Sequence, residues 1–332
     1  MSTSTFDPDS LENRDPKAME ALFGKLDPLL ARFFSPRVSG FERIPEGPAL
    51  YVANHNAGLM MPDVFILASA IYRARGLTDM PYGLVHDLAL RPDALNRLLC
   101  PIGAVRARPG TAERIFARGA KALAYPGGDL EVMRPFSKRD QVVFGNRRGY
   151  VRLALRTGVP ISPVVTAGAH SAFMVLDDGG RVARALHLPQ WARVNVVPTV
   201  LSFPWGLTFG FPPPYIPMPT RIYSEVLSPI RFAWTGEAAA ADEKWVDECH
   251  ARVVDTMQVA LTRLARQRRE DRKHDFADKV THAFDRIRHG LGFDAEPELE
   301  LDAERGAEIV SGLDRAPTRP VEPATEPTRI AA

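Results

Sequence analysis

The sequence predicts an α/β fold: a mixed, largely parallel sheet covered by helices, with amphipathic helices at the N- and C-terminal ends. Three observations predict it. Strand-like and helix-like segments alternate from residue 37 to about residue 230, the pattern of a sheet layered with helices. The run at 49–53 (Ala-Leu-Tyr-Val-Ala) is short, continuously apolar and bounded by Gly and Pro, as a strand buried on both faces is. The chain has 332 residues, 45% hydrophobic and 25% charged, which is enough for a sizeable core in one large or two ordinary domains.

Taken in order, residues 1–14 are polar and acidic, read as disordered, and are not a secretory signal. Asp15 and Pro16 then form an N-cap and first-turn pair. Behind them Met19, Leu22, Phe23, Leu26, Leu30, Phe33 and Phe34 share one face of a helix over 15–35. That face packs either on the domain core or on a bilayer interface. The domain proper spans 36–232. Within it, strands are expected at 38–44, 49–55, 80–86, 100–106, 121–125 and 159–168, and helices at 64–75, 92–99, 111–120 and 149–157. No formal charge occurs between Arg193 and Arg221. The prolines of that run rule out a spanning helix. Two readings stand: a buried strand followed by a Pro-rich loop, or a surface loop dipping Trp205, Phe209, Phe211 and Tyr215 into a lipid interface.

Residues 242–293 read as a pair of amphipathic basic helices. Trp245, Cys249, Val253, Met257, Leu261 and Leu264 pattern the first, and Phe276, Val280, Phe284, Ile287 and Leu291 the second. The basic block between them (Arg263, Arg266, Arg268, Arg269, Arg272, Lys273) suits either a solvated face or an anionic membrane surface. Residues 294–332 form an acidic, then Pro- and Thr-rich tail read as disordered.

Composition narrows the function. A net charge of +2 gives no global attraction to nucleic acid, and no nucleic-acid partner is expected. Cys100 and Cys249 are too few and too far apart for a disulfide framework or a CxxC metal site, which fits a reducing cytoplasm; no metal is expected. No window supplies the ~20 apolar, Pro-free residues of a spanning helix, so the protein is expected to be soluble or peripheral. The dinucleotide, P-loop and serine-hydrolase glycine motifs are absent.

Four blocks carry chemistry. The strand at 49–53 delivers Asn54 and His55 to a strand-to-helix loop, where open α/β sheets keep their ligand crevice, with Asp63 in the next helix start. Alone, that pair reads as a loop histidine and a helix-start acid. A second block, at 124–136, follows a strand with Gly127 and Gly128; bare backbone there can approach a ligand, with Asp129 and Glu131 just behind. A third, at 101–119, sends Arg106 and Arg108 out from a strand end, where a guanidinium can fork onto phosphate or carboxylate. The fourth, Val-Pro-Ile-Ser-Pro-Val-Val at 159–165, is an apolar strand that packs.

In this order the four blocks resemble the glycerolipid acyltransferase family, typified by the 1-acylglycerol-3-phosphate acyltransferases. That family runs V-x-N-H with x4-D, then G-x-x-x-x-D/N-R, F-P-E-G-T and V-P-I-x-P-V. Here the counterparts are Tyr-Val-Ala-Asn-His with Asp63, Ile-Gly-Ala-Val-Arg-Ala-Arg with Arg106, Ala-Tyr-Pro-Gly-Gly-Asp, and Val-Pro-Ile-Ser-Pro-Val-Val. The likeness covers residues 36–230. Two departures mark a divergent subgroup. Asp63 lies eight residues after His55, with Met60 at the family's position, and Gly128 replaces the family glutamate. Glu131 is the substitute, as in the G-G-x-x-E pattern of neutral-lipid relatives.

The resemblance implies an O-acyltransferase that moves a fatty acyl group from acyl-CoA or acyl-carrier protein, as co-substrate, to a hydroxyl of a glycerolipid such as lysophosphatidic acid. No cofactor is implied. His55 would be the general base and Asp63 its orienting carboxylate. Asn54, Arg106, Gly127, Gly128 and Glu131 would bind substrate, Arg106 holding a phosphate. Membrane lipids would be the partners, at the inner face of the membrane. A diacylglycerol or other neutral-lipid acyltransferase is the alternative, and a non-catalytic lipid-binding module or a hydrolase would be rivals of other classes.

Overall fold

The computed structural model describes residues 5–55, 58, 60–180, 185, 187, 197–210 and 215–271. A seven-stranded sheet forms the centre among the described residues. Its strands are β1 (Arg37–Ser39), β2 (Ala49–Ala53), β3 (Tyr82–Val85), β4 (Ala104–Arg106), β5 (Lys121–Ala124), β6 (Ile161–Ala167) and β10 (Tyr223–Val226), in the order β1-β10-β6-β2-β5-β3-β4. The five strands from β6 to β4 are parallel, and β10 and β1 run the other way. The expected mixed, largely parallel sheet is what forms.

β2 lies at its middle and every one of its residues is buried, which explains the unbroken apolar run. Period-two alternation divides them between two layers. Leu50 and Val52 face a cluster built from α5 (Pro109–Ala117), α7 (Gly149–Thr157) and α9 (Glu243–Glu270). Tyr51 and Ala53 face Leu67 and Ile71 of α2 (Pro62–Asp79). Smaller helices, α3 (Asp87–Leu90), α4 (Asp93–Leu99), α6 (Gly128–Val132) and α8 (Glu237–Ala241), complete the described set.

The N-terminal helix α1 (Pro16–Phe34) starts where Asp15 accepts from the Lys17 N–H, and its apolar face is spent on protein. Met19 and Phe23 meet Met80, while Leu30 and Phe34 meet Ile66, Ala169, Ala172 and Ile222. Of the two readings of that face, the core-packed one holds. The long helix α9 is capped by Asp242, which accepts from the Trp245 N–H at 2.8 Å, and packs against β6. Its basic end is largely engaged within the fold. Arg263 pairs with Glu225 at 2.5 Å, and Arg268 is buried, donating to the Arg221 carbonyl and the Thr220 hydroxyl at 2.7 Å each. The second basic helix expected at 276–291 and the tail at 294–332 lie outside the described residues.

Residues 5–14 correct the expectation of disorder. Leu11 is buried in the main core cluster. The Phe6 backbone exchanges two hydrogen bonds with the Asn96 amide, at 2.8 and 3.0 Å, and the Arg14 guanidinium stacks over the Tyr82 ring. The segment is held by one apolar anchor and a set of specific polar contacts, neither of which produces periodicity.

The uncharged run also resolves. β7 (Met174–Asp177), β8 (Thr199–Ser202) and β9 (Gly206–Phe209) make a separate antiparallel sheet in that order. Trp205 and Phe209 are exposed, as the lipid-loop reading requires, but Tyr215 is buried, stacked on Phe173 at 4.5 Å. Phe211 lies outside the described residues.

Candidate active site

The site grows from the carboxyl end of β2. Pairing of Val52 with Ala124 and of Ala53 with Val164 brings Asn54 and His55 level with the ends of β5 and β6. Asn54 is fully buried and clasps β6: its Oδ1 accepts from the Thr166 N–H at 2.8 Å, and its Nδ2 donates to the Thr166 carbonyl at 3.0 Å. Both polar atoms of the Asn54 amide thus hold the end of β2 to the backbone of β6. The His55 backbone N–H donates to Glu131 Oε2 at 2.8 Å, and its ring lies against that of Tyr125 with centroids 4.5 Å apart.

After a loop in which Gly58 (φ +63°) lies against Phe173 and Tyr215, the chain enters α2 with Pro62 at its start. Asp63, in the first turn, is buried, and its charge acts on both Tyr125 and Arg134. Those same two residues meet His55, one by its ring and the other by its charge. His55 and Asp63 thus share one buried set of neighbours.

Glu131 is the knot of that set. It is fully buried; besides the His55 N–H, it accepts from the Val143 N–H at 3.0 Å and from Arg134 Nη1 at 3.4 Å. Arg134, buried too, donates its other arm to the Arg139 carbonyl at 2.9 Å. His170 is buried beside them and hydrogen-bonds the Glu131 backbone.

The Gly-Gly turn lies against two of the protein's own side chains. A side chain at Gly127 would collide with the Glu131 carboxylate, 2.2 Å from where a Cβ would stand. At Gly128 (φ +48°) it would meet Arg147 Nη1 at 2.4 Å. Arg147 in turn donates to the carbonyls of Pro126 at 3.1 Å and Gly127 at 2.6 Å, and pairs with Asp129. The glycines make room for the protein's own carboxylate and guanidinium, and Glu131 turns inward to hold His55.

Electrostatics set the working form of the site. Burial, reinforced by the Arg134 charge, pushes the His55 imidazole down to about 4, so the ring is neutral at pH 7 and able to take a proton. Burial pushes the Glu131 carboxyl up to about 7 against the opposing pull of Arg134 and of two backbone donors. Among the described residues no group of three or more His, Cys, Asp or Glu is arranged to hold a metal ion.

Arg106 is not brought to this cluster. It ends β4, at the far edge of the sheet and three strands from β2, roughly 14 Å at ordinary strand spacing. There its Nε faces Asp87 at 3.1 Å and Asp9 at 3.5 Å. Arg108 also pairs with Asp9, at 3.4 Å. The N-terminal segment that supplies Asp9 is the one read as disordered. Conversely, the sequence offered little notice of Tyr125 and Arg134. The one available signal for Arg134 was its place three residues after Glu131, a spacing that lets an acid and a base meet on a helical turn.

Residues 35–167 match the family model described as Acyltransferase. An uncharacterized protein of Mycobacterium tuberculosis (strain ATCC 25618 / H37Rv) is 31% identical over 251 residues, 73% of this chain and 66% of the relative. A protein of Mus musculus described as a DGAT1/2-independent enzyme synthesizing storage lipids is 28% identical over 185 residues, 55% of this chain and 54% of the relative. The matched stretch thus spans two thirds or less of these relatives. The crystal structure of the 1-acyl-sn-glycerophosphate (LPA) acyltransferase PlsC from Thermotoga maritima aligns with a TM-score of 0.44 and 15% identity, covering 75% of this chain and 81% of that one.

Proposed function

We propose that this chain transfers a fatty acyl group from a thioester, acyl-CoA or acyl-carrier protein, to a hydroxyl of a glycerolipid, with His55 as general base. The observation that carries the proposal is the placement of the His55 imidazole at the carboxyl end of the central strand, held through its backbone by Glu131 and across its ring by Tyr125, where burial favours the neutral form.

His55 takes the proton of the acceptor hydroxyl as that oxygen attacks the thioester carbonyl carbon. The tetrahedral adduct collapses with loss of the sulfur, which leaves as a thiol carrying the proton returned by the imidazolium. An ester replaces the thioester, and no protein nucleophile takes part. Asp63, in the same buried set, orients the ring and stabilises its charged form, the part a buried carboxylate plays in a triad. A base so placed contributes about 10²–10⁴-fold. Because the acceptor is a lipid, the working partner is a membrane surface, for which the inner face is the expected side; no described helix is long and apolar enough to cross a membrane.

A second reading concerns the acceptor. Arg106 and Arg108, the cations expected to hold a phosphate, are engaged with Asp9 and Asp87. Together with the storage-lipid description of one relative, this favours a neutral acceptor such as diacylglycerol over lysophosphatidic acid. The test is product analysis with a labelled acyl thioester against lysophosphatidic acid, diacylglycerol and no acceptor. Label in triacylglycerol supports the neutral reading, and label in phosphatidic acid supports the phosphate reading. Free fatty acid alone would mean a hydrolase, and no turnover in any arm would leave a lipid-binding module.

A further inference from the structure

We propose that the β8–β9 hairpin is the element by which this chain enters a lipid bilayer, setting Gly58 and Met60, just after His55 in the chain, at the membrane surface. The inference deepens the lipid-acceptor reading, on which the choice of a bilayer as occupant rests.

The two strands alternate cleanly. Val200 faces inward, in a cluster with Val132, Met133, Phe173, Val175 and Tyr215. The pairing of Leu201 with Leu207 and of Thr199 with Phe209 puts those four on the outer face. There, and at the turn, Phe203, Trp205, Leu207, Phe209 and Ile216 are 51–75% exposed. Ile216 belongs to the same surface because its N–H donates to the Phe203 carbonyl at 2.9 Å. A soluble fold gains nothing from aromatic and aliphatic side chains held outward in a row, and contiguous exposure of this kind marks a partner.

Two observations select lipid as that partner. No Asp, Glu, Lys or Arg occurs from residue 194 to residue 220, so neither strand of the hairpin carries a charge. Asp177 of β7 stands opposite Thr199 at the hairpin's base, whereas protein interfaces fix register with a charged rim on all sides. Its extent is also short of a protein interface. Five side chains of this exposure supply on the order of 600–700 Å² even if wholly covered, against the ~800 Å² that each partner gives to a stable complex. A narrow ribbon carrying Trp and Phe at its end is, by contrast, suited to the headgroup and upper acyl region, where amphipathic rings partition.

The hairpin is also tied to the site. The Tyr215 hydroxyl accepts from the Met60 N–H at 3.2 Å, and Gly58 leaves room for Tyr215 and Phe173. Met60 itself is exposed. Insertion of the hairpin therefore carries Gly58 and Met60 to the bilayer, where a lipid hydroxyl is presented.

The test is co-sedimentation with phosphatidylcholine/phosphatidylglycerol vesicles in the absence of substrate. Wild type is expected to pellet. Leu207→Glu/Phe209→Glu is expected to partition at least about tenfold more weakly, while Leu88→Glu, at an exposed leucine on α3, stays within about twofold. Quenching of wild-type tryptophan fluorescence by brominated phosphatidylcholine should be lost in Trp205→Phe, a readout that does not depend on the charged variant folding. Wild type that fails to pellet, a double variant that binds as wild type, quenching unchanged in Trp205→Phe, or a lipid-free dimer made monomeric by the double variant would each overturn the inference. Protein that binds through the hairpin but transfers no acyl group would remove the proposed reaction and leave the hairpin's role intact.

Discussion

At the scale of single residues, the site is governed by which groups are charged once buried. The free histidine range lies near 6.5, and burial beside Arg134 takes His55 down to about 4. Acid therefore disables the base only far below neutrality. kcat/KM should stay level from pH 7 to about 5 and fall as the imidazole protonates below that; a limb centred near 6.5 would show that His55 is not buried as described. Glu131 works with the opposite sign. Its carboxyl is raised from 4.5 to about 7, so the folded state binds the extra proton between those values, and its contribution to stability is lost as pH rises through 7. Removing the side chain is harsher than titrating it. Glu131→Ala strands the buried Arg134 guanidinium and the His55 and Val143 N–H groups, and should cost roughly 3–5 kcal/mol in chemical denaturation. A loss under about 1 kcal/mol would mean that Arg134 finds another partner. His55 was legible in the sequence because a strand visibly ends on it. The inward turn of Glu131 was not, because pattern alone cannot say whether a carboxylate after two glycines points to a ligand or back into the fold. The answer lay in the absent side chain of Gly127.

At the scale of elements, β2 and the start of α9 announced themselves through an unbroken apolar run and a capped, periodic face. The N-terminal segment did not, since its anchorage rests on partners up to about a hundred residues away: Asn96 for Phe6, Arg106 and Arg108 for Asp9. Sequence statistics register local composition, and such contacts leave no local trace. Leu11→Ala should destabilise the chain by about 2–5 kcal/mol, the range of buried leucine truncations, as measured by urea unfolding. A change within 0.5 kcal/mol, the scatter about zero typical of surface substitutions, would return the segment to the disordered reading. The uncharged stretch was ambiguous for a related reason. Alternation in 199–209 is only four residues deep on each strand, and the prolines around it read equally as loop. Only the pairing of the strands shows which side chains turn outward.

For the whole molecule, one end of the sheet gathers the functional parts. β2, β5 and β6 run parallel, so their carboxyl ends open together, and it is from there that Asn54, His55, the Gly-Gly turn and the lead into β7 emerge. Phe33 and Phe34 of α1 reach the same end, where their carbonyls accept from the N–H groups of Thr220 and Ile222. Arg106, the arginine that the resemblance assigns to a phosphate, ends β4 on the same carboxyl side but at the edge of the sheet, beside Asp9 and Asp87. With Arg106 held by those carboxylates, turnover with diacylglycerol is expected to exceed that with lysophosphatidic acid. The account as a whole stands on the imidazole of His55. Its most direct test is thiol release from acyl-CoA in the presence of the preferred acceptor, comparing wild type with His55→Ala at neutral pH and matched folded fraction. A fall of about 10²–10⁴-fold in kcat with the melting temperature little changed is the predicted result; release by His55→Ala at a rate near that of wild type would contradict it.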